Sequence, residues 1–216
     1  MAGPQYSIVL YPIVSIYRAW RWTFTNLWVS LKSLAMSYIW RIQCGRQVKF
    51  LGETIIRAYE KGAIKIGDNV VFNSCACNNL VGLVGPTILC ANKGGEIVIG
   101  SQSGFSSVVI NARKSVRVGD NVKVGGNVRI FDHDFHPVEW EARRHPEDWQ
   151  KTRISSVVIE DDVFIGTNAI ILKGSHIGAR SIVAAGSVVF GLDVPPDSMV
   201  KGNPAVVVHY SPTKKN

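Results

Sequence analysis

Between Asp132 and Val138 the chain reads Asp-His-Asp-Phe-His-Pro-Val, which sets two imidazoles and two carboxylates close together. Imidazole titrates near neutrality, so His133 or His136 can accept a proton from an attacking hydroxyl or amine. Asp134 or a backbone carbonyl can fix the tautomer by binding the other ring nitrogen. Three histidine ligands with an open fourth position could also be drawn from His133, His136 and His145, which is a catalytic zinc arrangement. A loop histidine is more often merely solvated, so residue types alone leave the chemistry open. His176 and His209 fall in a repeat and in the C-terminal tail, and both are read as structural or solvent-facing. The four cysteines, Cys44, Cys75, Cys77 and Cys90, form no CxxC pair. They are expected to be reduced thiols packed as small hydrophobes, with Cys75 and Cys77 too poorly partnered for zinc.

The elements that must position these residues repeat every six. Ile159, Ile165, Ile171, Ile177, Val183 and Val189 follow one another without a break. Val163, Ala169, Ser175, Ser181, Ser187 and Asp193 come four residues after each. The same unit surfaces at Ile66-Gly67, Ile99-Gly100, Val118-Gly119 and Val124-Gly125. A helix has a period of 3.6 and cannot carry this pattern. A short strand that buries one aliphatic side chain, turns and repeats can, provided that stacked coils share one core. The expected fold is mainly β, a β-helix over residues 46–208. Ile130 and Ile159 lie twenty-nine positions apart, which fits no multiple of six. Residues 132–156 therefore read as a loop ejected from the coils, and ejected loops on repeat scaffolds tend to carry function.

Residues 1–45 differ in kind. Apolar positions from Phe24 through Leu27, Trp28, Leu31, Leu34, Ala35, Tyr38, Ile39 and Ile42 follow helical spacing. Four of the six tryptophans lie here, and no acidic residue precedes Glu53. Six of the net eight positive charges sit before that point, on Arg18, Arg21, Lys32, Arg41, Arg46 and Lys49. A basic, aromatic, amphipathic helix suits anionic lipid headgroups better than nucleic acid, which is not an expected partner. Lys32 near its centre makes a spanning helix unfavourable. Packing against the first coil or within an oligomer is the alternative. The 46% hydrophobic and 19% charged content excludes disorder. No signal peptide is evident, so the expected place is the cytoplasm, at most the inner face of its membrane. Residues 209–216 form a tail.

The repeats, the segment Asp132–Val138 and the ending from Val194-Pro195-Pro196 through Gly202-Asn203-Pro204-Ala205 resemble the hexapeptide-repeat acetyltransferases. That group includes galactoside, maltose and nodulation-factor enzymes and those that decorate capsule or O-antigen sugars. The resemblance covers about residues 44–208 and implies a left-handed β-helix, a homotrimer, and acetyl-CoA held between subunits as co-substrate. The His-Pro-Val start of the loop implies that His136 is the general base, with His133 the fallback. The histidine spacings do not resemble those of the γ-class carbonic anhydrases, which share the β-helix, so no metal is expected.

The resemblance also implies contacts to acyl-CoA from Phe164, Gly166 and Thr167, from the small run Ala184-Ala185-Gly186, and from Lys201. Val189-Phe190-Gly191 and Ala205–Val208 depart from it, because basic residues that would meet the 3′-phosphate are missing there. For the acceptor, Asn111, Asp134, Trp140 and Arg143 are the candidates, Trp140 by stacking on a sugar face. The expected reaction is direct attack of a hydroxyl of a sugar or glycan (a polysaccharide or lipid-linked precursor) on the thioester, which needs a base and an oxyanion donor but no acyl-enzyme. The alternatives are an N-acetyltransferase of an amino sugar and a non-catalytic scaffold.

Overall fold

The computed structural model describes residues 42–76 and 79–208, together with Ser15, Ile16, Trp20, Leu31, Ala35 and Tyr38, which are helical and exposed. The amphipathic segment otherwise lies outside the described residues, as does the tail. Among the described residues no helix is long and apolar enough to cross a membrane.

From Gln43 onward short strands wind through three parallel sheets, one strand per face per coil. The first face carries seven strands, from Gln43–Cys44 to Asp193–Val194; the third carries six, from Thr54–Ala58 to Val188–Val189. The second carries eight and ends in an antiparallel hairpin, Met199–Gly202 with Ala205–Val208. Every sixth aliphatic residue points inward, and Ile159, Ile165, Ile171, Ile177, Val183 and Val189 are all buried in one continuous core. Phe50, Phe72 and Phe105 stack along it with centroids 5.0 Å apart at each step.

The corners explain the polar repeats. Where the first face turns into the second, Asn69, Gln102, Asn121, Asp162, Arg180 and Asp197 all have φ near +60°. Asn and Asp tolerate this left-handed conformation, which is why they recur. Ser103 and Ser181 are buried and donate to carbonyls of the next coil, Gly119 at 3.0 Å and Pro195 at 3.0 Å, so their hydroxyls are satisfied. A Cβ on Gly119 would lie 2.2 Å from an Asp161 oxygen, so coil stacking itself excludes a side chain there.

Three features depart from the sequence reading. Asp193, in phase with the inward small residues, is exposed, because the repeat shortens by one and Leu192 packs against the core instead. A second loop leaves the helix between Val71–Asn73 and Thr87–Ala91. Cys75 lies in that loop and is disulfide-bonded, not a reduced packed thiol; Cys44 and Cys90, on the coils, are free.

Candidate active site

The ejected loop leaves where the third face turns into the first, immediately after the strand Arg129–Phe131. Its root is fixed by Asp132, whose side chain is fully buried. That carboxylate accepts the backbone N–H groups of Arg113, Lys114 and Ser115 of the preceding coil at 2.7–2.8 Å. It also meets His133 Nδ1 at 2.9 Å. Ser155 N–H donates to the Asp132 carbonyl and Asp134 N–H to that of Arg153, so the two ends of the loop leave together.

His136 projects from this rigid root with 69% of its side chain exposed, and its Nδ1 lies 2.6 Å from Asp148 Oδ2. Asp148 opens the short 3₁₀ turn Asp148–Lys151 and is itself largely buried. A carboxylate on Nδ1 holds the Nδ1–H tautomer and leaves Nε2 as the proton acceptor. Asp134 does not take this part. It pairs instead with Lys173 Nζ at 2.5 Å, and the ammonium rests 4.5 Å from the Phe190 ring centroid.

Beside the loop lies a cleft of about 440 Å³, lined by Tyr59, Asn92, Lys93, Asn111, Arg113, His133, Asp134, Phe135 and Trp149. Asn111 stands on the outer side of the third face and accepts the Asn92 amide at 2.6 Å, which leaves its own NH₂ for the cleft. His133 and the candidates Asn111 and Asp134 are thus brought together. Trp140 and Arg143 are not among the lining residues. Arg144 lies over the Trp140 ring at 4.3 Å, and Arg143 donates to the carbonyls of Pro137 and Val138 at 3.0 and 2.6 Å.

The residues expected to meet acyl-CoA lie elsewhere. Gly166-Thr167 and Ala184-Ala185 stack in successive coils where the second face turns into the third, with Gly125-Gly126 before them and Lys201-Gly202 after. A Cβ on Gly166 would come within 2.5 Å of the Ala185 nitrogen, so close coil contact alone requires the glycine. Gly186 has φ +70° and open space around it. Thr167 Oγ1 donates to the Gly126 carbonyl at 2.7 Å. The second loop covers the Gly126 end of this column, because Val81 and Leu83 would touch a Cβ placed on Gly126, at 3.0 and 3.3 Å. Phe164 is half exposed on the second face, over a shallow groove lined by Gly104, Ser106 and Lys123. Lys201 is exposed on the terminal hairpin.

Residues 156–191 match the model of the bacterial transferase hexapeptide (six repeats). Over 54 residues the chain is 54% identical to a 2,3,4,5-tetrahydropyridine-2,6-dicarboxylate N-acetyltransferase of Staphylococcus aureus, a match covering 25% of this chain and 22% of that one. The chain therefore spans about a fifth of the length of such curated relatives. It is similar, at 26% identity and TM-score 0.54, to a hexapeptide-repeat acetyltransferase of Vibrio cholerae O1 biovar eltor in complex with acetyl coenzyme A. That likeness covers 83% of this chain and 75% of that one. A maltose O-acetyltransferase of Clostridium difficile 630 shares the fold at 20% identity and TM-score 0.53, over 91% and 87% of the two chains.

The sequence reading missed Asp148, Trp149, Tyr59 and Lys93. Asp148 comes twelve residues after His136 in a loop of no period, so no spacing rule links them. Tyr59 and Lys93 follow the third-face strands Thr54–Ala58 and Thr87–Ala91, a coil or more away from His133, and only stacking makes them neighbours. Among the described residues no group of three His, Cys, Asp or Glu could hold a metal ion.

Proposed function

We propose that the protein transfers an acetyl group from acetyl-CoA to a hydroxyl of a sugar or glycan, with His136 as general base. The observation that carries this reading is the 2.6 Å contact between His136 Nδ1 and Asp148, on an exposed loop where Nε2 makes no hydrogen bond among the described residues. As the acceptor oxygen attacks the thioester carbonyl, Nε2 takes its proton and the Asp148 carboxylate faces the imidazolium that forms. The proton then leaves with the coenzyme thiol. The similarity to a hexapeptide-repeat acetyltransferase complexed with acetyl coenzyme A supports the donor.

The third face separates the small-residue column at one edge from the His136 loop at the other. A donor lying along that column therefore meets the His136 of another copy, which supports a homotrimer with sites between subunits. Outward-facing Ile55, Ile88, Val109, Ile170 and Val188 line the third face, with Arg129 the one charge in that column, whereas the first carries the ion ladder Lys65–Glu96–Arg117. The apolar face is the better subunit contact. The basic, tryptophan-rich segment 1–45 supports peripheral contact with anionic lipid at the inner face of the cytoplasmic membrane. Deleting it is expected to abolish liposome binding.

The test is release of coenzyme thiol from acetyl-CoA in the presence of paired hydroxyl and amine sugars. Acceptor-stimulated release that falls roughly 10²-fold or more in His136→Ala is expected. Unchanged turnover in that variant would refute the assignment. A second reading, N-acetylation of an amino sugar, is favoured by the 54%-identical stretch shared with an N-acetyltransferase. Preference for the amine of each pair would establish it.

A further inference from the structure

The cleft beside the loop has a charge and shape that the acetyl-transfer reading does not require. Its cations are unopposed. Among the described residues Lys93 Nζ has no hydrogen bond or ion pair, and Arg113, whose guanidinium lies over the Trp149 ring at 5.2 Å, uses Nη1 on the Trp149 carbonyl and Thr152 Oγ1, leaving Nε and Nη2 without hydrogen bonds. Of the carboxylates, Asp132 is buried and matched by three backbone N–H groups and His133, and Asp134 pairs through Oδ1 with Lys173, while its buried Oδ2 accepts no hydrogen bond among the described residues and stands as an acceptor for a sugar hydroxyl. The free NH₂ of Asn111 adds a donor, and Tyr59 and Trp149 supply aromatic walls. A 440 Å³ cleft accommodates one hexose with a charged substituent. Aromatic rings take the apolar face of a pyranose, and unpaired Lys and Arg take an anion.

We infer that this cleft binds an acidic sugar, a pyranose carrying a phosphate or carboxylate, with Lys93 and the free edge of Arg113 on the anion and Asn111 on a ring hydroxyl. The inference rests on the acetyl-transfer reading only in making that sugar the acceptor. Binding itself needs no turnover.

The experiment is calorimetric titration of the full-length protein, without acetyl-CoA, with galactose 1-phosphate, galacturonate and galactose. Both acids, or one of them, are expected to bind at least about tenfold more tightly than galactose, and which of them does distinguishes phosphate from carboxylate. The preference should weaken with added salt. Lys93 is exposed, so Lys93→Ala is expected to fold normally and remove most of the preference, while Lys93→Arg retains it. Equal affinity for acid and neutral sugar, no binding of any of the three, or a preference untouched by Lys93→Ala would each overturn the inference. Acid-sugar binding without thiol release would refute acetyl transfer and leave this inference standing. Transfer to neutral sugars with no acid preference would do the reverse.

Discussion

His136 and Asp148 are bound across the ejected loop, Nδ1 to Oδ2 at 2.6 Å, though one sits near its start and the other in its second 3₁₀ turn. The contact makes the returning half of the loop part of the histidine's support. Pro137, buried between exposed neighbours, and Arg143, which ties down the carbonyls of Pro137 and Val138, stiffen the segment between them.

Asp148→Asn keeps the shape but offers Nδ1 no carboxylate, so the imidazole loses both its tautomer and its counter-charge. A fall in kcat of roughly 10²-fold or more is expected, with KM for acetyl-CoA little changed. The double variant with His136→Ala should be no worse than His136→Ala alone, because the carboxylate acts only through the ring. Additive losses in steady-state kinetics would show that Asp148 has some other part.

Phe72 is fully buried between Phe50 and Phe105, stacked on both. Phe72→Ala removes the middle of that column, and neighbouring coils held by parallel ladders cannot collapse into the gap. A loss of about 3–5 kcal/mol is expected in denaturant unfolding. Phe72→Leu should cost less. A loss under about 1 kcal/mol for the alanine variant would mean that the coils reclose.

His176 lies between Glu160 at 2.9 Å and Asp193 at 2.8 Å on the first face. The hydrogen bond to Glu160, then that to Asp193, raises its pKa above the ordinary value of 6.5. The stability it adds is therefore fully present below about pH 6.5 and is lost as pH rises through the higher folded value. Glu160, held below its ordinary range chiefly by the same contact, loses its own share as the medium turns acid. The groups are exposed enough for salt to screen them, so the effect is small. Comparing thermal midpoints of wild type and His176→Gln from pH 5 to 9 should show the difference shrinking towards alkaline pH. A difference independent of pH would contradict it.

Burial pushes the Cys44 thiol up to about 11 and raises that of Cys90, where Arg57 only partly offsets it. The thiolate is the reactive species. Neither is expected to be alkylated by iodoacetamide at pH 7.5 in the native protein within a time that fully labels glutathione, and mass spectrometry reads this directly. Rapid labelling of Cys44 would show that the first coil opens.

Much of the coil was legible because its chemistry is local and periodic. A buried aliphatic every six residues and Asn or Asp at left-handed corners are demanded by the turn itself, so Ile159 to Val189 announce both. The outline of the loop was legible as the one stretch with no period that was seen. The second loop was not, since residues 74–86 lie among degenerate early repeats where the phase is hard to follow. The exposure of Asp193 has the same origin: a one-residue contraction leaves the period intact on either side while shifting it.

The site divides along the same line. The sequence by itself determined the coil, its corners, the place of the ejected loop and the histidines that mark it, because each follows from neighbours within a few residues. Only the tertiary structure decided that Asp148 and not Asp134 meets His136. It also decided that Asn111 lines a cleft while Trp140 and Arg143 do not, and that Lys93 and Tyr59 belong beside His133. Stacking places residues a coil apart in contact whatever their separation in the chain, and an aperiodic loop folds back according to its own hydrogen bonds, which no spacing rule encodes.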